Sequence, residues 1–497
     1  MKTIDSPVTV LLKSEIRIEK SSTNAIYVQI AQQIIQLIQK GYLQVGSLLP
    51  GTRVLAVTIG IHRKTAVAVY EELVAQGWVN SIPNKGTYIV TPENVTKIKA
   101  IYQQNKNQIA SKNTGFPFEA SFHLAPIETP FKTDFIANDG QPDIRLHPIS
   151  EFSKWYGAAM KRKSLISKWQ NMSNSHSHFE IQLSNFLNAS RGFAIQPNNI
   201  LNTRSSEMSL YIISQLLISP KDVVLVGNIG NYAANMLFQQ AGATIKTIPV
   251  DANGLDVRSI EELAKKTKIR CVYLNSNRHY PNTNSLSAER RLQLLVLARK
   301  MQFAIIEDDY DYDFQFDGPP ILPMASSDTD GLIIYLGKLG QSFFPSFQTG
   351  FVVAPENFIL EAKNYLQMLD SKGDLIQEQV LAALIHEGEI HRLLKKNTVV
   401  YKKRRDAMCS ALDIHFHDII EFEKPSGGLA LWIRFKTHIS LVQLAEKTKK
   451  MGLFLPKTLL YQDKTNCAIR FGFGHWNEEE IEIVVEKLKL GYLEVIT

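Results

Sequence analysis

From about residue 135 onward the chain alternates short β-branched apolar runs with helical stretches, and this alternation is the tightest limit on its fold. The apolar runs fall at residues 223–226, 243–248, 270–274, 303–306 and 332–336, and helical patterns fill 208–217, 231–240 and 288–301. Short strands with no alternating polar face are buried on both sides, and helices between them supply the cover. The expected product is an α/β unit with a mostly parallel sheet between two helical layers. A long helical region at 361–412 precedes a smaller α+β segment from residue 420 onward. With 44% hydrophobic and 21% charged residues the chain is neither disordered, collagen-like nor a coiled coil. Its 497 residues leave room for more than one domain.

The first ninety residues follow a different pattern. Residues 25–40 place Tyr27, Ile30, Ala31, Ile34 and Ile38 on one helical face, and Gly41 ends the run. After Leu49-Pro50-Gly51, Thr52 is expected to cap a short helix that stops at Gly60. A second helix is expected over 63–76, with Val67, Tyr70, Leu73 and Val74 on one face. Gly77-Trp78 leads into strands at 78–82 and 87–90, joined by Pro83-Asn84-Lys85-Gly86. Helix, short helix, turn, helix and hairpin is the order of a winged helix-turn-helix. Residues 1–100 hold eleven basic and six acidic side chains, net +5 of the whole chain's +7. Such a module suits a polyanionic partner, the other reading being a solvated surface with a modest lysine excess.

Residues 91–131, rich in Gln, Asn and Lys and then in Pro, show no sustained periodicity and read as a linker. The expected division is a DNA-binding domain at 1–92, a linker at 93–131 and a large domain at 132–497, itself split into 132–405 and 406–497. No apolar run approaches the roughly 18–20 residues needed to cross a bilayer, and the N-terminus does not read as a signal peptide. Cys271, Cys409 and Cys467 are too few and too scattered for a disulfide framework or a zinc cluster. A soluble cytoplasmic protein with no metal site is expected.

Specific stretches resemble the MocR class of GntR-type regulators, in which a winged helix is fused to a fold-type I aminotransferase. In the first domain these are Ile26-Tyr27-Val28-Gln29-Ile30, Leu49-Pro50-Gly51-Thr52-Arg53, Thr65-Ala66-Val67-Ala68-Val69-Tyr70-Glu71-Glu72-Leu73 and Asn84-Lys85-Gly86-Thr87-Tyr88. In the second they are Asp139-Gly140-Gln141-Pro142-Asp143, Ile306-Glu307-Asp308-Asp309-Tyr310-Asp311, Phe344-Pro345, Glu387-Gly388, Tyr401 with Arg404-Arg405, and Ile469-Arg470-Phe471-Gly472-Phe473. The resemblance implies a homodimer that binds double-stranded operator DNA and responds to a small-molecule effector.

Arg63, Lys64 and Thr65 open the second helix, where a recognition helix reaches base edges. Arg63 can fork onto guanine, and Lys64 suits a phosphate. By resemblance Arg53 contacts backbone or base, and Lys85-Gly86 tips the wing. His62 stands where the family usually has a serine cap, so a helix start that is weaker or tuned differently is expected.

In the family's pyridoxal phosphate (PLP) pocket, Asp308 corresponds to the pyridinium partner, Tyr310 to a ring-oxygen partner and Arg470 to the clamp on a substrate carboxylate. The lysine motif reads Gly337-Lys338-Leu339-Gly340-Gln341-Ser342-Phe343-Phe344-Pro345-Ser346-Phe347-Gln348-Thr349-Gly350 here. Aligned on Phe344-Pro345 and Gly350, the Schiff-base position is Gln341 and the phosphate-binding arginine is Gln348. An amide nitrogen cannot condense with an aldehyde, which excludes covalent PLP at that position. The phosphate cradle is Arg204-Ser205-Ser206-Glu207, a ring-oxygen contact falls on His279, and the stacking aromatic is Asn231, with Tyr232 one place late. A further family segment corresponds to residues 174–179. A regulator with a non-catalytic aminotransferase-like domain is therefore expected, with non-covalent PLP or another small anion as its remaining ligands. Arg204 and Arg278 either rebuild an anion site or are structural. Two alternatives are an aldimine carried by Lys338 and a constitutive DNA-binding dimer without a ligand. The basic stretch Lys395, Lys396, Lys402, Lys403, Arg404 and Arg405 is expected to be a solvated helix face.

Overall fold

The apolar runs of the large domain pair side by side into one seven-stranded sheet. Its spatial order is Ile200–Thr203, Thr349–Val353, Ile333–Leu339, Ala304–Asp309, Ile269–Leu274, Val223–Gly227 and Thr244–Ile248. Only Thr349–Val353 runs against its neighbours, so the sheet is mostly parallel. Every residue of Val223–Gly227 and Thr349–Val353 is buried, which is why these strands show no polar alternation. The strands Ile200–Thr203 and Thr349–Val353 are additions to the expected set. In the computed structural model the chain divides into two units, residues 1–120 and 121–497. The structure describes residues 6–19, 22, 24–83, 85–90, 113–118, 133–161, 177–340, 349–371 and 373–496. Most of the expected linker, together with Asn84, residues 174–176, Gln341, Phe344-Pro345 and Gln348, lies outside them.

One face of the sheet packs under helices Ser206–Leu217, Tyr232–Gln240 and Glu356–Leu369 around Ile212, Phe238 and Val352. The other face meets Val257–Ala264, Ala288–Met301, His178–Arg191 and Leu375–His386. The expected single helical region at 361–412 is three helices, Glu356–Leu369, Leu375–His386 and Glu389–Phe416. A four-stranded antiparallel sheet follows, Ile420–Glu421, Ala430–Phe435, Cys467–Gly472 and Leu460–Gln462 in spatial order, backed by Leu441–Lys450 and Glu478–Ile496.

The basic stretch of the Glu389–Phe416 helix is only partly a solvated face. Arg404 and Arg405 are buried. Arg404 pairs with Asp143 at 2.8 Å and donates to the Gly474 carbonyl at 2.6 Å. Arg405 lies over the Phe316 ring at 5.1 Å, donates to the Pro425 carbonyl at 2.8 Å and pairs with Asp317. These arginines fasten the long helix to its surroundings by buried, hydrogen-bonded charge.

The N-terminal unit has helices α1 Pro7–Glu15, α2 Ile26–Gln39, α3 Thr52–Ile59 and α4 Arg63–Ala75. Strands β1 Leu48–Leu49, β2 Val79–Ile82 and β3 Gly86–Ile89 form a sheet in the order β1-β3-β2. Thr52 is the first helical residue of α3 rather than its cap, because Gly51 holds the cap position and no side chain caps it. The buried face of α4 is Ala66, Val69, Tyr70 and Leu73, and Val74 is exposed. Leu12 of α1 and Ile16 join the core formed by α2, α3 and α4. Helix α1 and strand β1 were not foreseen.

The Arg404–Asp143 pair is buried on both sides, and Asp143 also takes Arg145 at 2.9 Å, so it is removal of Asp143 that leaves the buried Arg404 without a counter-charge. Asp143→Ala is expected to lower the stability of the large unit by about 3–5 kcal/mol in denaturant unfolding. A loss of less than about 1 kcal/mol, the size typical of an exposed pair, would contradict this account.

Candidate functional site

In the N-terminal unit, Gly60 takes the left-handed conformation (φ 76°) that ends α3 and turns the chain into α4. His62 caps α4, its Nδ1 accepting the Lys64 N–H at 3.2 Å. Of the two readings of this position, the structure shows a differently made cap, an imidazole lone pair in place of a serine hydroxyl. Arg53, His62, Arg63 and Lys64 are exposed, and Thr65 is half-buried. Lys85 and Gly86 are exposed at the hairpin. Among the described residues none of Arg53, Arg63, Lys64 and Lys85 forms an ion pair. Glu71 and Glu72 lie about 12 Å further along α4 at the helical rise, so the charges are segregated along it. Gly86 has φ 116°, and a Cβ there would lie 2.5 Å from Leu48 Cδ1. Glycine lets the hairpin close on β1, and the Tyr88 hydroxyl donates to the Lys85 carbonyl at 3.1 Å. Helix start and hairpin thus carry uncompensated, exposed cations.

In the large unit, Asp308 is the last but one residue of the Ala304–Asp309 strand, and Tyr310 follows the strand directly. Asp308 accepts the Tyr273 hydroxyl at 2.5 Å, and Asn275 donates to its backbone carbonyl at 2.7 Å. Burial pushes the Asp308 carboxyl up from its usual range, against the pull of Tyr273 and of the nearby Lys338 ammonium. The Asn275 Oδ1 also accepts the Tyr280 N–H at 3.3 Å, linking Asp308 to a second cluster. There Arg470 is buried and donates to the Asp139 carbonyl at 2.9 Å, the Pro281 carbonyl at 2.8 Å and the Tyr310 hydroxyl at 3.3 Å. Its guanidinium lies 4.6 Å from the Tyr280 ring centroid and 5.5 Å from that of Tyr310. No carboxylate comes within ion-pair distance of Arg470 among the described residues.

The remaining pocket residues are engaged in structure. His279 is buried and its Nε2 donates to the Ile229 carbonyl at 2.9 Å. Asn231 caps the Tyr232–Gln240 helix through the Ala233 and Ala234 N–H groups, and Tyr232 is 56% exposed. Ser205 caps the Ser206–Leu217 helix through the Met208 N–H at 3.2 Å, and Ser206 is buried in its first turn. Arg204 pairs with Asp370 at 2.5 Å, and Arg278 with Asp311 at 3.0 Å in a buried pair, so both serve as structural arginines. Burial opposes ionisation of Glu207, but Lys338, its own N–H and the Ser205 and Ser206 hydroxyls hold its carboxyl below the usual range. Tyr273 and Asn275 were missed because their run reads only as a core strand; a tyrosine and an asparagine in an otherwise apolar run were the available signal. Among the described residues no group of acidic, His and Cys side chains could hold a metal ion, and no helix is long and apolar enough to cross a membrane.

The two units correspond to two known families. Residues 26–89 match the bacterial regulatory proteins of the gntR family, and residues 152–488 match aminotransferase class I and II. The chain belongs to the aminotransferase class I and II family and carries a gntR-type helix-turn-helix ahead of that domain. It is 24% identical over 413 residues to the probable rhizopine catabolism regulatory protein MocR of Rhizobium meliloti, covering 82% of this chain and 81% of that one. It is 23% identical over 477 residues to the HTH-type transcriptional regulator YdfD of Bacillus subtilis, covering 93% and 95%. The fold of the large unit is that of Pyrococcus horikoshii kynurenine aminotransferase, with a TM-score of 0.67 at 22% identity over 74% of this chain and 92% of that one.

Burial pulls the His279 imidazole down to about 4. Its folded value lies below the unfolded one near 6.5, so the unfolded chain binds the proton first as pH falls. The stability from neutral His279 is complete above about pH 6.5 and is lost progressively toward pH 4, by up to roughly 3 kcal/mol. His279→Gln is expected to flatten the fall in denaturant midpoint across that window. An unchanged slope would contradict the assignment.

Proposed function

We propose that the chain is a cytoplasmic transcription regulator that binds double-stranded operator DNA as a homodimer. Its aminotransferase-like domain is non-catalytic, dimerises and senses a small-molecule effector. The observation that carries the DNA-binding half is the set of exposed, unpaired cations Arg53, Arg63, Lys64 and Lys85 on a winged helix with a properly capped α4. Their placement supports a recognition helix whose first turn, with Thr65, meets base edges and phosphates. Lys85 and Gly86 at the hairpin tip meet the adjacent groove or backbone. The names of MocR and YdfD, which are similar along most of the chain, support the same reading. Two winged helices, one per subunit, read two half-sites, and the effector biases their reach.

The non-catalytic half rests on Gln341 and Gln348 standing at the Schiff-base and phosphate-arginine positions of the family motif. Bound PLP supplies an electron sink for amino-acid chemistry, but it needs a lysine amine, a stacking ring and free donors. Asn231 and His279 are spent on a helix cap and a backbone carbonyl. The residues of this pocket therefore do not fit PLP held in the usual way. Ser205, Ser206, Tyr232, Asp308 and Tyr310 are relics of such a site. Arg470, whose hydrogen bonds go to neutral acceptors only, is the residue that would meet an effector carboxylate.

Arg63→Ala is expected to cost about 1–3 kcal/mol of sequence-specific affinity, whereas Lys85→Ala weakens binding alike on all sequences. Unchanged operator affinity in the Arg63 variant, measured by titration at fixed salt, would remove the recognition helix from this account. Borohydride reduction in the presence of PLP is expected to leave the peptide spanning Lys338 and Gln341 unmodified. An adduct at Lys338 would establish the aldimine alternative.

A further inference from the structure

Helix α3 carries Arg53 in its first turn, but it is eight residues long and no side chain caps it. A helix that short does not hold itself in place, so its position is set by what packs on it. Helix α4 supplies part of that support, and its Tyr70 hydroxyl donates to the Pro50 carbonyl just ahead of α3. Helix α1 supplies more: it packs against both α3 and β1 and buries Leu12 in the same core as Leu49, Leu55 and Ala56. It lies ahead of residues 26–89, the stretch that matches the gntR family.

What fastens α1 is the segment that leaves its C-terminus, residues 16–19, extended from Ile16 (φ −81°, ψ 126°) onward. Among the described residues no strand pairs with this segment, yet its backbone is hydrogen-bonded. Gln33 Oε1 accepts the Arg17 N–H at 2.8 Å, and Gln33 Nε2 donates to the Arg17 carbonyl at 2.7 Å. Gln29 treats Glu19 in the same way, at 3.0 and 3.1 Å, and its Nε2 also donates to the Asn24 carbonyl at 2.7 Å. A side-chain amide carries the donor and the acceptor of a peptide group, so each glutamine stands in for one residue of a neighbouring strand. The spacing fits, because four helical residues rise about 6 Å and two extended residues span about 6.6 Å. Ile16 and Ile18, which alternate with the bonded residues, pack into the core.

We propose that Gln29 and Gln33 are positioning residues for DNA recognition: by clamping residues 17–19 they hold α1 against α3 and β1, and so fix where Arg53 stands. The two glutamines read backbone groups, so the clamp depends on the path of the segment and not on the side chains of Arg17 and Glu19. Its five hydrogen bonds are exposed, so water replaces them when they break, and α1 loosens while the α2–α4 core persists. Binding then falls with the fraction of molecules whose Arg53 is in place. The inference rests on the DNA-binding reading and adds two residues which that reading does not use.

The test is a double-mutant cycle on the full chain, titrated at fixed salt with a duplex that the wild-type chain enriches from a random-sequence pool. Gln29→Met with Gln33→Met keeps the side-chain length and removes both amides. The pair is expected to weaken binding about tenfold in the wild-type background. Where Arg53→Ala is already present, the same pair is expected to cost less than about twofold, whereas with Arg63→Ala present it keeps its full effect. An equal loss in the wild-type and Arg53→Ala backgrounds would show that the glutamines only stabilise the unit, and would overturn the proposal. So would a folded Met pair that binds as the wild-type chain does. Each single Met variant is expected to show part of the loss with the same dependence on Arg53, and decides the matter if circular dichroism shows the pair unfolded. A wild-type chain that enriches no duplex defeats the DNA-binding reading and the clamp together, while a bound duplex indifferent to the glutamines defeats the clamp alone.

Discussion

Four acidic side chains, Glu307, Asp308, Asp309 and Asp311, are buried at and just beyond the end of one central strand, each at 8% exposure or less. Removing carboxylates from water is costly unless each is hydrogen-bonded, so the surroundings are built to serve them. Glu307 takes the Met324 and Ala325 N–H groups at 2.8 Å each and the Ser276 hydroxyl. The two flanking strands each contribute a tyrosine, Tyr273 to Asp308 and Tyr335 to Asp309. Arg278 closes on Asp311. Burial still pushes the Asp309 carboxyl up to about 7, so this layer is held together by neutral hydrogen bonds as much as by ion pairs.

That polar layer accounts for how the deep part of the aminotransferase-like pocket is held in place. Asp308 cannot be changed without stranding Tyr273, and Arg278 cannot be changed without stranding Asp311. Residues at the pocket rim are not bound in this way, and they carry the departures from the family pattern. Asn231 and Ser205 sit at helix starts, where their side chains accept N–H groups and stabilise the helices they open. The fold therefore keeps its deep carboxylates while its rim turns from cofactor contacts to helix caps.

Much of this was legible in the sequence, for physical reasons. Four of the five parallel strands that were found, all but the half-open edge strand Thr244–Ile248, are mostly buried, and strands buried on both faces leave a continuous apolar run as their signature. Ile200–Thr203 and Thr349–Val353 were missed because each has an apolar run of only two or three residues, broken off by hydroxyl, amide or glycine positions. Their polar groups are satisfied by each other, Thr349 Oγ1 donating to Asn202 at 2.6 Å. The burial of Arg404 and Arg405 was hidden because a run of cations reads as solvent-facing until Asp143 and Asp317, distant in sequence, are brought against it. Which of the two readings of His62 holds was not legible, because a propensity ranking does not reveal that an imidazole nitrogen reaches the Lys64 N–H. Asp308, Tyr310 and Arg470 were legible from their motifs, but the donors that occupy them were not.

The central claim is that DNA recognition belongs to the first ninety residues and needs no cofactor in the large domain. Selection of bound duplexes from a random-sequence pool, run on the full chain with and without added PLP, tests it most directly. The account predicts the same enriched sequence and the same retained fraction in both arms. Enrichment only in the presence of the cofactor, or none in either arm, would contradict it.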